Sequence, residues 1–394
     1  MLENMHDDET IYLDHAAATP MEPAAIAAME PYLAHEFYNP SAPYGPARKV
    51  KAALEDARAH IAHLMGARPG AITFTAGATE ANNLALAAAD GEVLVAAGEH
   101  ASVLAAAAVR GGRLVGLEPD GSVAPEVLEE ALSEEVGVVS IAYADGEVGT
   151  VRRLRDLAAV IERERARRLV AGCARPLLFH SDCSQAAAHL SMNVSSLRAD
   201  LLTVSAAKLG GPKQMGLLWA ADGVALRPLV FGGGQEGGVR SGTENVAGVM
   251  GFAAAFEACA ARRVQEARRL AALRDAMQGK LQAAFPRAVF SGPAKSARRL
   301  PNLLHVSFPG LSGSRLVVLL ERRGVLVGTG AACAASKMRP SPVLAAIGLS
   351  GEKAAGSLRI TFGPHTGEAQ VAQATGIITE VVRAEQERVG KGRA

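Results

Sequence analysis

The stretch that decides the fold is residues 200–212, which read DLLTVSAAKLGGP. Residues 201–205 form an apolar run of the length and composition typical of a buried strand. Lys208 follows this run directly, and a glycine pair at 210–211 then predicts a turn. Upstream, residues 179–182 form another short apolar run, and it ends in Asp182. The sequence therefore predicts two neighbouring buried strands, one followed by a lysine and the other ending in an acid.

A lysine and an aspartate at the ends of neighbouring strands are what a pyridoxal phosphate enzyme requires. Lys208 would form a Schiff base with the cofactor aldehyde, and Asp182 would keep the pyridine nitrogen protonated, so that the ring can accept electrons. Most lysines are only solvated, so Lys208 by itself is weak evidence and the rest of the chain must support it.

Strand-like and helix-like segments alternate from about residue 70 to 250. The predicted strands are 71–74, 92–96, 113–116, 138–141, 176–180, 200–204 and 216–220, and the predicted helices are 78–89, 101–110, 125–132 and 154–168. This alternation predicts an α/β domain with a mostly parallel sheet, whose ligands lie at the carboxyl ends of the strands.

The pattern changes after residue 248. A long helix is predicted at 252–285, followed by a strand at 302–308, a helix at 314–323 and a strand at 357–362. Such runs predict a smaller α+β domain. We therefore expect a large domain over residues 16–253 and a small domain built from residues 1–15 and 254–394.

Composition excludes several classes of function. The 394 residues carry a formal net charge of +1, which favours neither nucleic acid nor a membrane surface as a partner. The arginine pairs at 152–153 and 167–168 lie among glutamates and are expected on solvated helix faces. No apolar run has the length of a membrane span, and residues 1–10 lack an apolar leader. The four cysteines have no metal-binding or disulfide spacing, which predicts no metal site and a reducing, cytoplasmic location.

Residues 74–83, FTAGATEANN, run from a predicted strand through a glycine turn into a predicted helix. Free N–H groups at a helix start, together with the hydroxyl of Thr79, make a site for a phosphate dianion. The alternative is that Thr79 only caps the helix. His100 follows the next predicted strand, so its imidazole is a candidate for acid–base chemistry or for stacking at the same sheet edge.

Taken together, these segments resemble the cysteine desulfurases, pyridoxal phosphate-dependent enzymes of the class V aminotransferase fold, a branch of aminotransferase-like fold type I. The resemblance runs from Tyr12 to Arg359, nearly the full length. The motifs that carry it are 12–17 (YLDHAA), 77–80 (GATE), 99–100 (EH), 181–185 (SDCSQ), 205–208 (SAAK), 232–236 (GGGQE), 240–245 (RSGTEN) and 330–333 (GAAC).

The resemblance implies roles around the cofactor ring. Lys208 would hold the cofactor, Asp182 would pair with its pyridine nitrogen, and Gln185 would bond its phenolic oxygen. His100 would stack on the ring and share in catalysis. Asp145 occupies a position near the phenolic oxygen where the family usually has asparagine, and an ionised aspartate would repel a phenolate there.

The resemblance also implies how phosphate and substrate are held. The phosphate would be bound by Ala78, Thr79 and Ser205, with Thr243 reaching it from the other subunit of a homodimer. Arg359 would bind the substrate carboxylate, a task that suits a guanidinium fork. Asn39 would contribute to substrate binding, although residues 39–45 look shorter than the family segment and lack its histidine.

Cys333 separates this activity from others of the fold. It lies among small residues at 328–336, with Lys337 and Arg339 close behind, and nearby positive charge favours a thiolate. In the family, this cysteine takes the sulfur of L-cysteine as a persulfide, leaves L-alanine, and passes the sulfur to an acceptor protein. That acceptor would be an iron–sulfur scaffold or a tRNA-thiolation relay. A buried small hydrophobic residue is the alternative reading of Cys333.

Three functions stay open at this point. The chain is expected to be a desulfurase, although Ala207 stands where the family usually has a phosphate-contacting histidine. It could instead be a lyase or transaminase of the same fold acting on another amino acid, or a degenerate paralogue that serves as a binding partner. The intact set of lysine, pyridine acid and thiol favours the first.

Overall fold

The computed structural model describes residues 10–294, 296–329, 341–349 and 351–391. A seven-stranded sheet lies at the centre of the larger domain, in the order β2-β8-β7-β6-β5-β3-β4. Its strands are β2 (Ile72–Thr75), β3 (Glu92–Ala96), β4 (Arg113–Val115), β5 (Val136–Ser140), β6 (Leu178–Asp182), β7 (Leu201–Ser205) and β8 (Gly216–Ala220). Only β8 runs antiparallel to its neighbours, so the predicted α/β fold with a mostly parallel sheet is confirmed.

Helices connect these strands and pack on the sheet. They are α1 (Pro23–Ala34), α2 (Gly45–Met65), α3 (Ala78–Leu86), α4 (Ala101–Val109), α5 (Pro125–Ala131), α6 (Leu154–Val170) and α7 (Val194–Leu197). Apart from the edge strand β4, the strands are almost entirely buried because helices cover the sheet, which explains their largely apolar composition. The four predicted helices of this domain all form, with ends within three residues of expectation.

The smaller domain is built around an antiparallel sheet of β9 (Val289–Phe290), β10 (Leu303–Ser307) and β12 (Ser357–Thr361). The first described strand, β1 (Ile11–Tyr12), pairs in parallel with β11 (Val325–Leu326). In the described ranges, the remaining helices are α8 (Val246–Ala284), α9 (Gly313–Glu321), α10 (Pro342–Ala346), α11 (Glu352–Ala355) and α12 (Glu368–Lys391).

Helix α8, 39 residues long, connects the two domains and begins six residues before its predicted start. Its first part, with Phe252 and Phe256, lies in the core beneath the large sheet. Its second part, with Leu273 and Met277, packs with Ile11 in the core of the smaller domain. The helix therefore passes through the predicted division at residue 253, and the two apolar cores separate between Cys259 and Leu270.

A helix that spans a bilayer must be both long and apolar. Within the described ranges, no helix is both long and apolar enough to cross a membrane.

Candidate active site

The predicted acid and lysine lie at the same edge of the large sheet. Asp182 is the last residue of β6 and is in register with Thr203 of the parallel strand β7. Lys208 ends the short 3-10 turn that follows β7. Because the carboxyl ends of parallel strands meet at one edge, the sequence order alone carries both side chains to this edge.

Asp182 is a buried carboxylate that accepts hydrogen bonds on both oxygens. The Ser184 backbone N–H donates to Oδ1 at 2.9 Å, and Asn82 Nδ2 donates to Oδ2 at 2.8 Å. The residue is 8% exposed, and in the described part of the chain it forms no ion pair. A buried anion needs a cationic partner, so a protonated pyridine nitrogen fits this position.

Lys208 and Gln185 converge on one carbonyl group. Lys208 Nζ donates to the Ala16 carbonyl at 2.8 Å and to the Ala17 carbonyl at 2.5 Å. Gln185 Nε2 donates to the same Ala16 carbonyl at 3.1 Å. The segment after β1 is therefore part of the site and brings the lysine and the amide together.

The predicted phosphate residues share one corner of the sheet. Ser205 pairs with Gly216 of β8, which pairs in turn with Thr75 of β2. A Cβ on Gly216 would lie 2.6 Å from the Gly77 carbonyl carbon, and Gly77 has a φ of +106°, so both positions require glycine.

This close approach sets the start of α3 beside the end of β7. The helix starts at Ala78, and Thr79 is exposed in its first turn. Ala78, Thr79 and Ser205 thus lie where the backbone N–H groups of a helix start and two hydroxyls could hold a phosphate.

Asp145 belongs to a buried charged cluster. Its Oδ1 accepts from the backbone N–H groups of Glu147 and Val148 at 2.8 and 2.7 Å. Arg152 lies within 3.7 Å of Asp145 Oδ2 and 3.8 Å of Glu99 Oε1. Burial raises the pKa of Glu99 to about 7, although Arg152 acts in the opposite direction. The carboxylate of Asp145 is therefore satisfied by its own turn and by Arg152.

The expectation that Arg152 and Arg168 lie on solvated helix faces is wrong. Arg152 is 1% exposed and precedes α6 rather than lying on it, and it donates to the carbonyls of Gly121 and Ala142. Arg168 is 2% exposed and donates to Glu164. The charge pattern did not reveal either one, because each guanidinium is buried against a backbone carbonyl distant in sequence, that of Gly121 for Arg152 and that of Val136 for Arg168.

His100 caps the start of α4 and is exposed. Its Nδ1 accepts from the Ser102 backbone N–H at 3.1 Å and lies 2.8 Å from Ser102 Oγ. Sequence reasoning missed Ser102 and Asn82, although both are buried between His100 and Asp182. The available signals were the Asn82 position within FTAGATEANN and the Ser102 position two residues after the histidine.

Arg359 lies on β12 and is nearly buried. Its Nη2 is 2.8 Å from Asp14 Oδ1, and Nη1 donates to the Gly146 carbonyl at 3.1 Å. Backbone hydrogen bonds in both directions join Arg359 to Gly328. A Cβ on Gly328 would lie 2.9 Å from Asp14 Oδ1 and 3.2 Å from Arg359 Nη2. The guanidinium of Arg359 is therefore packed closely against both Gly328 and Asp14.

Cys333 lies outside the described residues, but the chain on either side of residues 330–340 reaches the site. On one side Gly328 pairs with Arg359. On the other side Ser341 Oγ donates to the buried carboxylate of Glu147 at 2.7 Å. Glu147 lies two residues after Asp145, and burial raises its pKa to about 7, although the Ser341 hydrogen bond and, to a smaller extent, Arg359 lower it.

Thr243 and Asn39 are not brought into contact with the lysine. Thr243 is exposed and lines a cavity of about 240 Å³ with Thr75, Gln214 and Arg240, whereas Lys208 and Gln185 line a different cavity. Asn39 is exposed, and its Oδ1 accepts from the Ser41 backbone N–H at 2.9 Å. The assignments of both residues stay predictions.

A lysine beyond a strand end and a buried acid beside it, on a mostly parallel sheet, define a class of fold. Residues 11–373 match the family model described as Aminotransferase class-V. The chain belongs to the class V aminotransferase family.

Among the curated proteins to which the chain is similar are cysteine desulfurases. The chain is 35% identical over 368 residues to "Cysteine desulfurase IscS" of Dictyoglomus turgidum, covering 90% of each. It is 33% identical over 383 residues to "Cysteine desulfurase IscS 1" of Archaeoglobus fulgidus, covering 94% of this chain and 96% of that protein.

Solved structures agree with these relatives. A structure titled "NIFS-LIKE PROTEIN" has a TM-score of 0.85 and 29% identity, covering 95% of this chain and 99% of that one. Another, titled "SspA in complex with cysteine", has a TM-score of 0.74 and 29% identity, covering 91% of this chain and 100% of that one.

Proposed function

We propose that this protein is a cysteine desulfurase, an enzyme that uses pyridoxal phosphate to convert L-cysteine to L-alanine and a persulfide on Cys333. The observation that supports this most is Asp182, a buried carboxylate without an ion pair in the described part of the chain, at the same sheet edge as Lys208. The names of the relatives support the choice of substrate.

The donor set fits the cofactor. Lys208 would hold it, Asp182 would face the pyridine nitrogen, and Gln185 would bond the phenolic oxygen. Ala78, Thr79 and Ser205 would hold the phosphate. When bound, pyridoxal phosphate supplies an electron sink for charge developing at the Cα of the substrate.

The chain's own residues then bind and orient the substrate. Arg359 would bind the carboxylate of L-cysteine, and its bond to Asp14 fixes the direction of the guanidinium. The Lys208 amine would take the proton from Cα and return it after the sulfur has left. In the structure this amine donates hydrogen bonds to the carbonyls of Ala16 and Ala17.

Cys333 would accept the sulfur. Its thiolate attacks the substrate sulfur, a new S–S bond forms, and the carbon–sulfur electron pair stays with the substrate, which gains protons to become alanine. Neither buried cysteine of the described residues suits this role. Burial raises the pKa of the Cys183 thiol and that of the Cys259 thiol, so both disfavour the thiolate.

The remaining partners belong to the same proposal. A homodimer would bring Thr243 to the phosphate of the partner subunit, and the exposure of this residue supports that arrangement. The persulfide would pass to an acceptor protein, an iron–sulfur scaffold or a tRNA-thiolation relay. The cytoplasm stays the expected location, on the cysteine pattern of the sequence.

The decisive experiment compares Cys333→Ser with Cys173→Ser, a matched change at a partly exposed cysteine. After brief exposure to L-cysteine, mass spectrometry should find added sulfur on the wild-type peptide that carries Cys333. The Cys333→Ser variant should form little alanine, and Cys173→Ser should form it at the wild-type rate. Alanine release by Cys333→Ser at the wild-type rate would instead favour a lyase, and no cofactor absorbance would favour a binding partner.

A further inference from the structure

An unbroken chain of hydrogen bonds links Asp182 to His100. Asn82 Nδ2 donates to Asp182 Oδ2 at 2.8 Å and lies 2.9 Å from Ser102 Oγ. Ser102 Oγ lies 2.8 Å from His100 Nδ1. Asn82 is fully buried and Ser102 nearly so, which means that solvent does not interrupt the chain.

The direction of each hydrogen bond follows from the chemistry of the groups. An ionised carboxylate only accepts, so Asn82 must present its NH₂ group to Asp182, since the flipped amide would set two acceptors against each other. The second N–H of the same group points to Ser102 Oγ, which must therefore accept from it. The hydroxyl hydrogen of Ser102 is left for His100 Nδ1.

The backbone gives an independent indication of the same direction. The Ser102 N–H donates to His100 Nδ1 at 3.1 Å, so this nitrogen receives two donors and carries no proton. The proton of the neutral ring then lies on Nε2, the ring nitrogen that does not face Ser102.

We propose that Asn82 and Ser102 are positioning residues that hold the Asp182 carboxylate in place and keep His100 in its Nε2–H form. This inference rests on the proposed function, in which Asp182 faces the pyridine nitrogen and His100 stacks on the ring. It adds to that function a defined tautomer of His100, with the proton on Nε2. The histidine presents a proton donor to the substrate side and is not a base there.

A packing role alone does not explain Asn82. Its Oδ1 is buried without a hydrogen-bond partner among the described residues, a condition that lowers stability. An apolar side chain of the same size would avoid that cost. The two N–H donors are what only the amide supplies at this position, and both are used.

The first test measures the tautomer directly, without substrate. In protein labelled with ¹⁵N in histidine, at about pH 8 where imidazoles are neutral, long-range ¹H–¹⁵N spectra should show His100 protonated on Nε2. Ser102→Ala should move the Nδ1 signal downfield, because that nitrogen loses one of its two donors. A His100 protonated on Nδ1, or an Nδ1 signal unchanged in Ser102→Ala, would overturn the inference.

The second test uses Asn82→Asp, which keeps the shape but sets a second carboxylate against Asp182. Cofactor affinity measured by absorbance should fall about ten- to a hundred-fold at pH 8, the range for losing a hydrogen bond to a buried charge and adding repulsion. It should recover at low pH, because a protonated carboxyl can again donate to Asp182. Asn193→Asp, at the start of α7, should bind as the wild type does.

The results separate this inference from the proposed function. Suppose that the wild type binds pyridoxal phosphate and forms alanine. If the cofactor affinity of Asn82→Asp then equals that of the wild type, or is reduced by the same factor at every pH, the positioning role is wrong and the desulfurase assignment stands. If the wild type binds no cofactor, the proposed function fails, and the histidine spectra of Ser102→Ala still decide the tautomer.

Discussion

Glu147→Gln should change how the stability of the protein depends on pH. Glu147 is 5% exposed, and its Oε2 accepts from Ser341 Oγ at 2.7 Å. Burial raises the pKa of this carboxyl from its ordinary 4.5 to about 7, with Asp145 acting in the same direction and Ser341 and Arg359 in the opposite one. Glutamine keeps an oxygen for Ser341 but cannot ionise.

The sign follows from proton binding in the two states. Since the pKa of Glu147 is higher in the folded protein, the stabilisation from this group is fully present below pH 4.5 and is lost as pH rises through about 7. At about 1.4 kcal/mol for each tenfold change in proton affinity, the rise from 4.5 to about 7 corresponds to about 3 kcal/mol of unfolding free energy.

Urea unfolding of wild type and variant at about pH 4.5 and about pH 8 measures this difference. The free energy of unfolding of Glu147→Gln relative to wild type should rise by about 3 kcal/mol between the two values of pH. Glu99, whose pKa is also raised, contributes equally to both proteins and cancels. Glu130→Gln, at an exposed glutamate, should show no such rise. Parallel pH profiles for wild type and Glu147→Gln would refute the reasoning.

Three further substitutions test other parts of the site. Arg152→Met leaves Glu99 and Asp145 buried without their cation, so the unfolding free energy at about pH 8 should fall by about 3–5 kcal/mol, measured in urea, and an unchanged midpoint would contradict the cluster. Gly328→Ala introduces a Cβ 3.2 Å from Arg359 Nη2, so the KM for L-cysteine should rise about tenfold with a smaller change in kcat, in steady-state assays. Lys208→Ala should abolish both the visible absorbance of the bound cofactor and alanine formation, and retained turnover would remove Lys208 from the mechanism.

The strands of the large sheet, and the edge at which the predicted site residues lie, could be predicted from the sequence alone. Short, largely apolar runs such as Leu201–Ser205 predict strands covered on both faces, and the residues that follow them then lie at one edge by topology. For this reason the sequence alone predicts that Asp182 and Lys208 lie at the same edge of the sheet.

The polar layer beneath that edge could not be predicted in the same way. Asn82 and Asp182 are 100 residues apart in the chain. Arg152 and Glu99 are likewise far apart in the chain, because strands β4 and β5 lie between them in sequence. Helical periodicity indicates that a position is buried, but it does not identify the partner. The prediction that Arg152 lies on a solvated helix face failed for a further reason. Arg152 precedes α6, so the charge pattern of that helix does not apply to it.

The smaller domain has a consequence for how the protein is made. Ile11 and Leu13 pack into a core whose other members, such as Leu273 and Val382, come from the last third of the chain. Domains fold largely as units while synthesis proceeds from the first residue. The sheet that carries Lys208 can thus form on the ribosome before the residues that pack against Ile11 and Leu13 have been synthesised. Arg359 takes its place beside Asp14 only when nearly the entire chain has emerged.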